Sequence, residues 1–291
     1  MLLIPRSLRR TLGRLLPEFI KAPWRGRLYG YRPARTPLHA SIVQAGDRCL
    51  VTIDDTIVLH APSSALADLA FHLRDNGESV DEIASLLQVA RTPGGLLLDV
   101  GGHKSVLSHL FCLAAPNNRA ISYEPSPSLR ADAAAMRTTN GLDDRLILDA
   151  HAIGDRQGTT PGYVDSNGLI AFGAAPFASE AFPVEFTTID AECARRGVTP
   201  HVVKIDIEGY EDQALAGAAR LLAEHPPILL LEFHLDLLDE RGIAARALLA
   251  SLRGYGYSFH TTTGKSLSAR DVYASPTAVI RFVARPPAAR R

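Results

Sequence analysis

The chain has 291 residues, 46% hydrophobic and 21% charged, which is enough apolar material for one large core and excludes global disorder. Its 31 basic and 31 acidic side chains give a formal net charge of +0, so nothing points to wholesale nucleic-acid binding, and no nucleic-acid partner is expected. Cys49, Cys112 and Cys193 are too few and too scattered for a disulfide framework or a zinc cluster, and a reducing cytoplasm is the natural compartment. No segment reaches the ~20 apolar residues of a membrane span, and arginines interrupt the short apolar stretches at the amino terminus, unlike a signal peptide.

From Arg6 to Arg35 nine basic residues face one acid, Glu18. Leu8, Leu12, Leu15, Leu16 and Phe19 recur at helical spacing until Pro23 and Pro33 interrupt. Residues 1–45 therefore read as a basic arm, packed on its own domain or a partner. The alternative is a peripheral contact with an anionic membrane at its inner, cytoplasmic face. Residues 46–95 read as a small module: a hairpin over 49–60 about Asp54-Asp55, then helices near 62–73 and 79–90, closed by Pro93-Gly94-Gly95.

From Leu96 the period alternates regularly. Strands are expected at 96–100, 119–123, 145–149, 201–206 and 228–233, with helices at 104–115, 127–139, 190–197, 211–224 and 240–253. Segment 155–188 lacks helical period and reads as hairpins or a loop across one end of the sheet. Two closing strands, near 256–261 and 278–284, lack a clear helix between them, so one is expected to be antiparallel. Single helices between strands imply right-handed crossovers. The reading is an α/β doubly wound domain over 96–285. Its sheet is seven-stranded and mostly parallel, with one antiparallel strand near the end and helices on both faces. A flexible tail, 286–291, follows.

The chemistry concentrates at strand ends. Leu96-Leu97-Leu98-Asp99-Val100-Gly101-Gly102-His103 is a buried strand ending in an acid and a glycine turn. Tyr123-Glu124-Pro125 and Ile205-Asp206-Ile207-Glu208-Gly209 end further strands in acids. In an open α/β sheet ligands bind at carboxyl ends near the switch point. An acid at Glu124 suits the two hydroxyls of a ribose. The turn is neither GxGxxG nor a phosphate loop. Asp99 would sit poorly against a pyrophosphate and better against an ammonium or sulfonium, which favours S-adenosylmethionine over a nicotinamide dinucleotide.

These motifs, in order, resemble the FkbM-type methyltransferases, which use S-adenosylmethionine on the class I fold. The resemblance rests on Leu98–His103, Tyr123–Pro127, Asn140, Ala152–Asp155 and Thr188–Asp190. Its most specific parts are Val203–Glu211, Ala214–Ala218 and Leu231–His234. The family loop usually reads D-V-G-A-N-x-G; here Gly102, His103 and Ser105 replace its alanine, asparagine and last glycine. By resemblance, Asp99, Gly101, Gly102 and His103 line the amino-acid end of the cofactor. Glu124 then holds the ribose, Asp149 the adenine amine, and Asp206 lies beside the methyl group. The reaction expected is O-methylation of a hydroxyl on a sugar, glycan or secondary metabolite.

A base must reach that hydroxyl. The candidates are His234, Glu232, Glu208 and Glu211, and Asp206 joins His234, Glu232 and Glu208 in the expected catalytic set. An imidazole near its ordinary pKa would serve as base. Lys204, in an apolar strand, should be buried only if paired, and Glu232 is its natural partner. Asp206, Glu208, Glu232 and His234 would also suit Mg²⁺ or Mn²⁺, but their spacing is loose and no metal ligand is assigned. Tyr163, Phe172, Phe177 and Phe182 either line the acceptor pocket or pack a satellite core. The competing function is a non-catalytic or weakly active relative that binds a carbohydrate or a partner protein. A nicotinamide oxidoreductase lacks its third glycine here. A homo-oligomer is compatible with the sequence, which sets no stoichiometry.

Overall fold

The structure, a computed structural model, describes residues 38–70, 72–73, 77–164, 170–172, 181–275 and 277–287. The basic helix expected within the first 37 residues, Phe177 and the last four residues lie outside these. Among the described residues no helix is long and apolar enough to cross a membrane.

The chain opens with an antiparallel meander, β1 (Ala40–Ala45), β2 (Arg48–Ile53) and β3 (Ile57–Pro62). Cys49, Val51 and Ile53 alternate inward and face Ile57, Leu59 and Ala61. Asp54 and Asp55 turn the hairpin at φ 48° and 55°, a conformation that aspartate tolerates better than most residues. Residues 40–45, expected in the arm, are thus a strand. Their alternation is weak because β1 is an edge strand in which only Ala40 and Ile42 are half-buried. Helices α1 (Leu66–Ala70) and α2 (Gly77–Ala90) follow.

The main body runs β4 (Leu96–Val100), α3 (Val106–Ala114), β5 (Arg119–Tyr123), α4 (Pro127–Thr139) and β6 (Leu146–Asp149). Next come β7 (Ala152–Ile153), β8 (Gly158–Val164), β9 (Ile170–Phe172), β10 (Phe182–Thr187), α5 (Ile189–Arg196) and β11 (Val202–Ile205). The chain closes with α6 (Glu211–Ala216), α7 (Ala219–Glu224), β12 (Ile228–His234), α8 (Leu235–Glu240), α9 (Ala245–Gly254), β13 (Ser258–His260), β14 (Ser266–Leu267), α10 (Ala269–Tyr273) and β15 (Val279–Arg285).

This is an α/β fold with mixed sheets and flanking helices. The central sheet has eight strands, not the expected seven, in the order β14-β13-β15-β12-β11-β4-β5-β6. From β6 to β12 all pairs are parallel, while β15 runs antiparallel to both β12 and β13. The extra strand, β14, is two residues long and pairs only with β13. It leads into α10, a helix opened by a Ser268/Asp271 capping box. That S-x-x-D spacing is a local signal for a helix start.

Alternation along β4 divides the interior. Leu96, Leu98 and Val100 pack with Phe233, Leu249 and Phe282 on one face, while Leu97 packs with Val51, Leu59, Ile83 and Leu110 on the other. The amino-terminal module therefore covers one face of the sheet with its own core. The segment expected as hairpins forms a second sheet, β7-β10-β8-β9. The helix expected over 211–224 breaks in two at Gly217, where a Cβ would lie 2.1 Å from the Gly154 carbonyl oxygen. The neighbouring strand end comes so close that only glycine fits.

Candidate active site

The strand order reverses between β4 and β11: from β4 the chain builds outward through β5 and β6, then returns to the other side. Ligands bind at such switch points. Gly101 and Gly102 both donate to the Tyr123 carbonyl, at 3.1 and 3.0 Å, and Asp206 donates to Val100. At Gly101, with φ +79°, a Cβ would sit 1.9 Å from the Asp206 carbonyl oxygen. The loops after β4, β5 and β11 therefore meet at one point.

Glu124 is 6% exposed there. Its Oε2 accepts the His103 amide at 2.9 Å and its Oε1 the Ser126 amide at 2.8 Å. Each oxygen keeps a second acceptor direction, a geometry that fits a pair of ribose hydroxyls. Burial pushes its carboxyl up to about 7. The backbone of His103, not its ring, makes this bond, so the bond does not require the family's asparagine.

His103 and Ser105 stand at φ 51° and 57°. This explains why asparagine and glycine suit those positions, and why α3 begins only at Val106. Ser105 offsets its strain with a buried hydroxyl pair: Ser105 Oγ and Ser122 Oγ lie 2.8 Å apart. A Cβ on Gly102 would lie 1.9 Å from that same Ser122 oxygen. The replacements at 102 and 105 are thus one interlocked unit, in which the serine pair fills the space an alanine methyl would take. Gly102→Ala is expected to cost about 2 kcal/mol from overpacking, but under about 1 kcal/mol in a Ser122→Ala background. Urea unfolding of the four proteins in that cycle measures it, and equal costs in both backgrounds would refute the interlock.

Across the switch point the structure brings Asp206, Glu208, Glu232 and His234 together. His234 Nε2 lies 3.2 Å from Glu208, 3.7 Å from Glu232 and 4.0 Å from Asp206, and its Nδ1 lies 3.0 Å from Glu211. Glu208 reaches the ring from a left-handed turn at φ 53° and keeps a 54% exposed side chain. The others are more deeply placed. Burial disfavours charge on His234, yet the Glu211 hydrogen bond and the three other carboxylates outweigh it and push the imidazole up to about 9. The expected imidazole near its ordinary pKa is therefore corrected: at neutral pH the ring is a cation. Desolvation raises the Glu208 carboxyl above its ordinary value; the His234 charge opposes this, and Asp206 and Glu211 add to it.

Lys204 is also corrected. Its Nζ pairs with Asp206 at 3.0 Å, not with Glu232. Burial raises the Asp206 carboxyl, but Lys204 prevails and holds it down at about 2. Glu232 instead takes Arg281 at 2.6 Å, its antiparallel neighbour across β12 and β15. Arg281 further approaches Glu82 of α2 at 3.7 Å. Arg281 and Glu82 escaped the sequence reading because the β12–β15 register and the packing of the amino-terminal module bring them in. Asp206, Glu232 and His234 present ligand atoms within 4.8 Å of one another. Lys204 and Arg281 already neutralise both acids, so the cluster reads as ion pairs about an imidazole.

Two expected cofactor contacts are placed differently. Asp99 is 1% exposed, accepts from Ser108 Oγ at 2.7 Å and faces Lys204 across the β4–β11 pair. Its other oxygen, Oδ1, is buried with no hydrogen-bond partner. Asp149 is occupied: one oxygen takes the amide and ring of His151, at 3.0 and 2.6 Å, and the other takes Arg196. Beyond Glu208, Tyr210 carries Arg241 over its ring at 4.3 Å and meets Phe172 edge-on at 5.9 Å, and Phe172 in turn contacts Phe186. The second sheet thereby adjoins the cluster through Phe172.

A switch point with a ribose-type carboxylate on one side and an acid–imidazole cluster on the other defines a nucleoside-cofactor α/β protein of the group-transfer class. The methyltransferase FkbM domain model matches residues 99–259, more than half of the chain. The chain belongs to the FkbM methyltransferase family. S-adenosylmethionine is the methyl donor of that family, and Glu124 with the Gly101–His103 loop fits it.

Solved structures are similar at lower levels. The FkbM methyltransferase of Methylobacillus flagellatus shares 17% identity over 76% of this chain and 58% of its own, with a TM-score of 0.42. A SAM-dependent methyltransferase of Agrobacterium tumefaciens shares 12% over 84% of this chain and 72% of its own, TM-score 0.42. The O-methyltransferase TomG of Streptomyces achromogenes, in complex with SAM, shares 12% over 76% and 87%, TM-score 0.39. The chain thus spans under two thirds of the first of these. Among curated proteins none matches the sequence.

Proposed function

We propose that the protein is an S-adenosylmethionine-dependent O-methyltransferase acting on a hydroxyl of a sugar, glycan or secondary metabolite. The observation that carries this reading is the Glu208–His234 contact at 3.2 Å, set across the switch point from Glu124. When bound, S-adenosylmethionine supplies a methyl group on a sulfonium, whose sulfur keeps the electron pair of the broken C–S bond. Glu124 holds the ribose through its two fixed oxygens. The backbone of Gly101, Gly102 and His103 borders the amino-acid end. Asp206 stands at the methyl-transfer end of the site.

Glu208 receives the hydroxyl proton as the new O–C bond forms. It is the exposed acid of the cluster, and a carboxyl raised from its ordinary value is the better base. His234, charged, orients Glu208 from behind, with Glu211 on its other ring nitrogen. The non-catalytic alternative drew on His103 and Ser105. The backbone bond from His103 to Glu124 and the Ser105–Ser122 pair weigh against it.

Seven strands of the central sheet, β14 apart, follow the class I arrangement in this reading. The basic segment Arg6–Arg35 would hold the enzyme near anionic lipid on the cytoplasmic side, within reach of lipid-linked glycans. The full-length protein, given methyl-labelled S-adenosylmethionine and a panel of free, nucleotide-linked and lipid-linked sugars and hydroxylated metabolites, is expected to form an alkali-stable methyl ether. Label confined to alkali-labile esters or to amines would refute O-methylation.

A further inference from the structure

Glu211 opens α6 and is fully buried, at 0% exposure. No substrate hydroxyl reaches it, so it is not itself a base for the reaction. Its Oε1 accepts two hydrogen bonds, from the Gly209 amide at 3.0 Å and from His234 Nδ1 at 3.0 Å. Its Oε2 is buried with no hydrogen-bond partner. An acid held this way is costly for a core position, where an apolar side chain would serve better.

The two bonds it makes explain the cost. Oε1 accepts from both groups, so a ring hydrogen sits on Nδ1 in this contact. That leaves Nε2 as the atom facing Glu208, Glu232 and Asp206. The bond to Gly209 fixes the other half of the contact. Glu208 and Gly209 form a left-handed turn at φ 53° and 91°, and a Cβ on Gly209 would lie 2.5 Å from the Leu237 Cβ. One buried oxygen therefore holds both the ring and the turn that presents Glu208. Coupling a carboxylate to the far nitrogen of a working imidazole is a general way to set its tautomer and direction.

We propose that Glu211 is a positioning residue for methyl transfer: it holds the Nδ1–H of the His234 cation and anchors the Glu208–Gly209 turn, so that Nε2–H and the Glu208 carboxylate meet, and it keeps the remaining proton on Nδ1 when the ring becomes neutral. The proposal rests on the function proposed above. The groups facing His234 are Glu208 and Glu211 from the loop and start of α6, Asp206 after β11, and Glu232 on its own strand. Lys204 and Arg281 lie behind those acids.

The test is ¹⁵N NMR of the full-length protein labelled at histidine. The chain has ten histidines, so a His234→Gln variant assigns the resonance. In the wild type the ring is expected to stay doubly protonated until about pH 9 and then lose the Nε2 proton. In Glu211→Gln the titration midpoint is expected to fall by about one unit or more, because a charged acceptor becomes neutral, while S-adenosylhomocysteine affinity stays within about twofold. A neutral wild-type ring protonated on Nε2 would overturn the proposal, even if the variant failed to fold. So would an unchanged midpoint and tautomer in Glu211→Gln. Failure of the wild type to bind S-adenosylmethionine would instead sink the function reading and leave the tautomer result standing.

Discussion

Replacing Lys204 with methionine is expected to cost about 3–5 kcal/mol, the penalty for stranding a buried charge. Lys204 is 5% exposed in the middle of β11 and pairs with Asp206 at 3.0 Å. Asp99, Glu82 and Glu232 add their attraction and keep the ammonium charged against its own burial. Methionine matches the stem but leaves these acids facing one another without a central cation. Protonation would relieve part of the strain, at further cost to the Asp206–His234 arrangement. Urea unfolding reads the loss directly. Adding Asp206→Asn should return at least half of it, because removing both partners of a buried pair costs far less than removing one. A single variant within about 1 kcal/mol of wild type would show that Lys204 does not organise the cluster.

The second large effect falls on the reaction. Glu208→Gln is expected to lower kcat by about 10²–10⁴-fold, the usual range for a general base, with S-adenosylmethionine affinity unchanged within about twofold. Its side chain is the exposed one, so stability should barely move. The pH profile separates the two proton acceptors. With Glu208 as base, wild-type activity rises with pH as that raised carboxyl ionises. It then holds level, and it falls above about 9 as His234 loses the proton that orients Glu208. With His234 as base, activity would keep rising until about pH 9 and level off there. A profile of the second kind would move the base from Glu208 to His234.

Much of the fold was legible because its signals are local. Buried parallel strands such as Leu96–Val100 and Ile228–Phe233 are apolar runs, each interrupted only by one acid near its carboxyl end, and helices of regular period separate them. What escaped depended on neighbours distant in sequence. Gly217 breaks a helix only because the Gly154 carbonyl lies against it. β1 belongs to a sheet whose alternation is plain only in β2 and β3. The two-residue β14 has too few residues to show a period.

The site follows the same rule. The acids at strand ends were visible, and their meeting follows from the switch point. Their pairing was not visible. Lys204 goes to the acid two residues on, and Glu232 goes to Arg281, because the antiparallel β15 puts Arg281 beside it. In the sequence the loop departures at Gly102 and Ser105 stand as separate changes. Ser122, on the neighbouring strand, makes them a matched set.

The central claim is that Glu124 and the glycine loop hold S-adenosylmethionine. Calorimetric titration of the full-length protein and of Glu124→Ala with S-adenosylmethionine tests it most directly. The account predicts micromolar binding by the wild type and a loss of about 100-fold in the variant, as two hydrogen bonds to the Glu124 carboxyl group disappear. A folded wild-type protein that does not bind S-adenosylmethionine, or a Glu124→Ala variant that binds it equally well, would contradict the account.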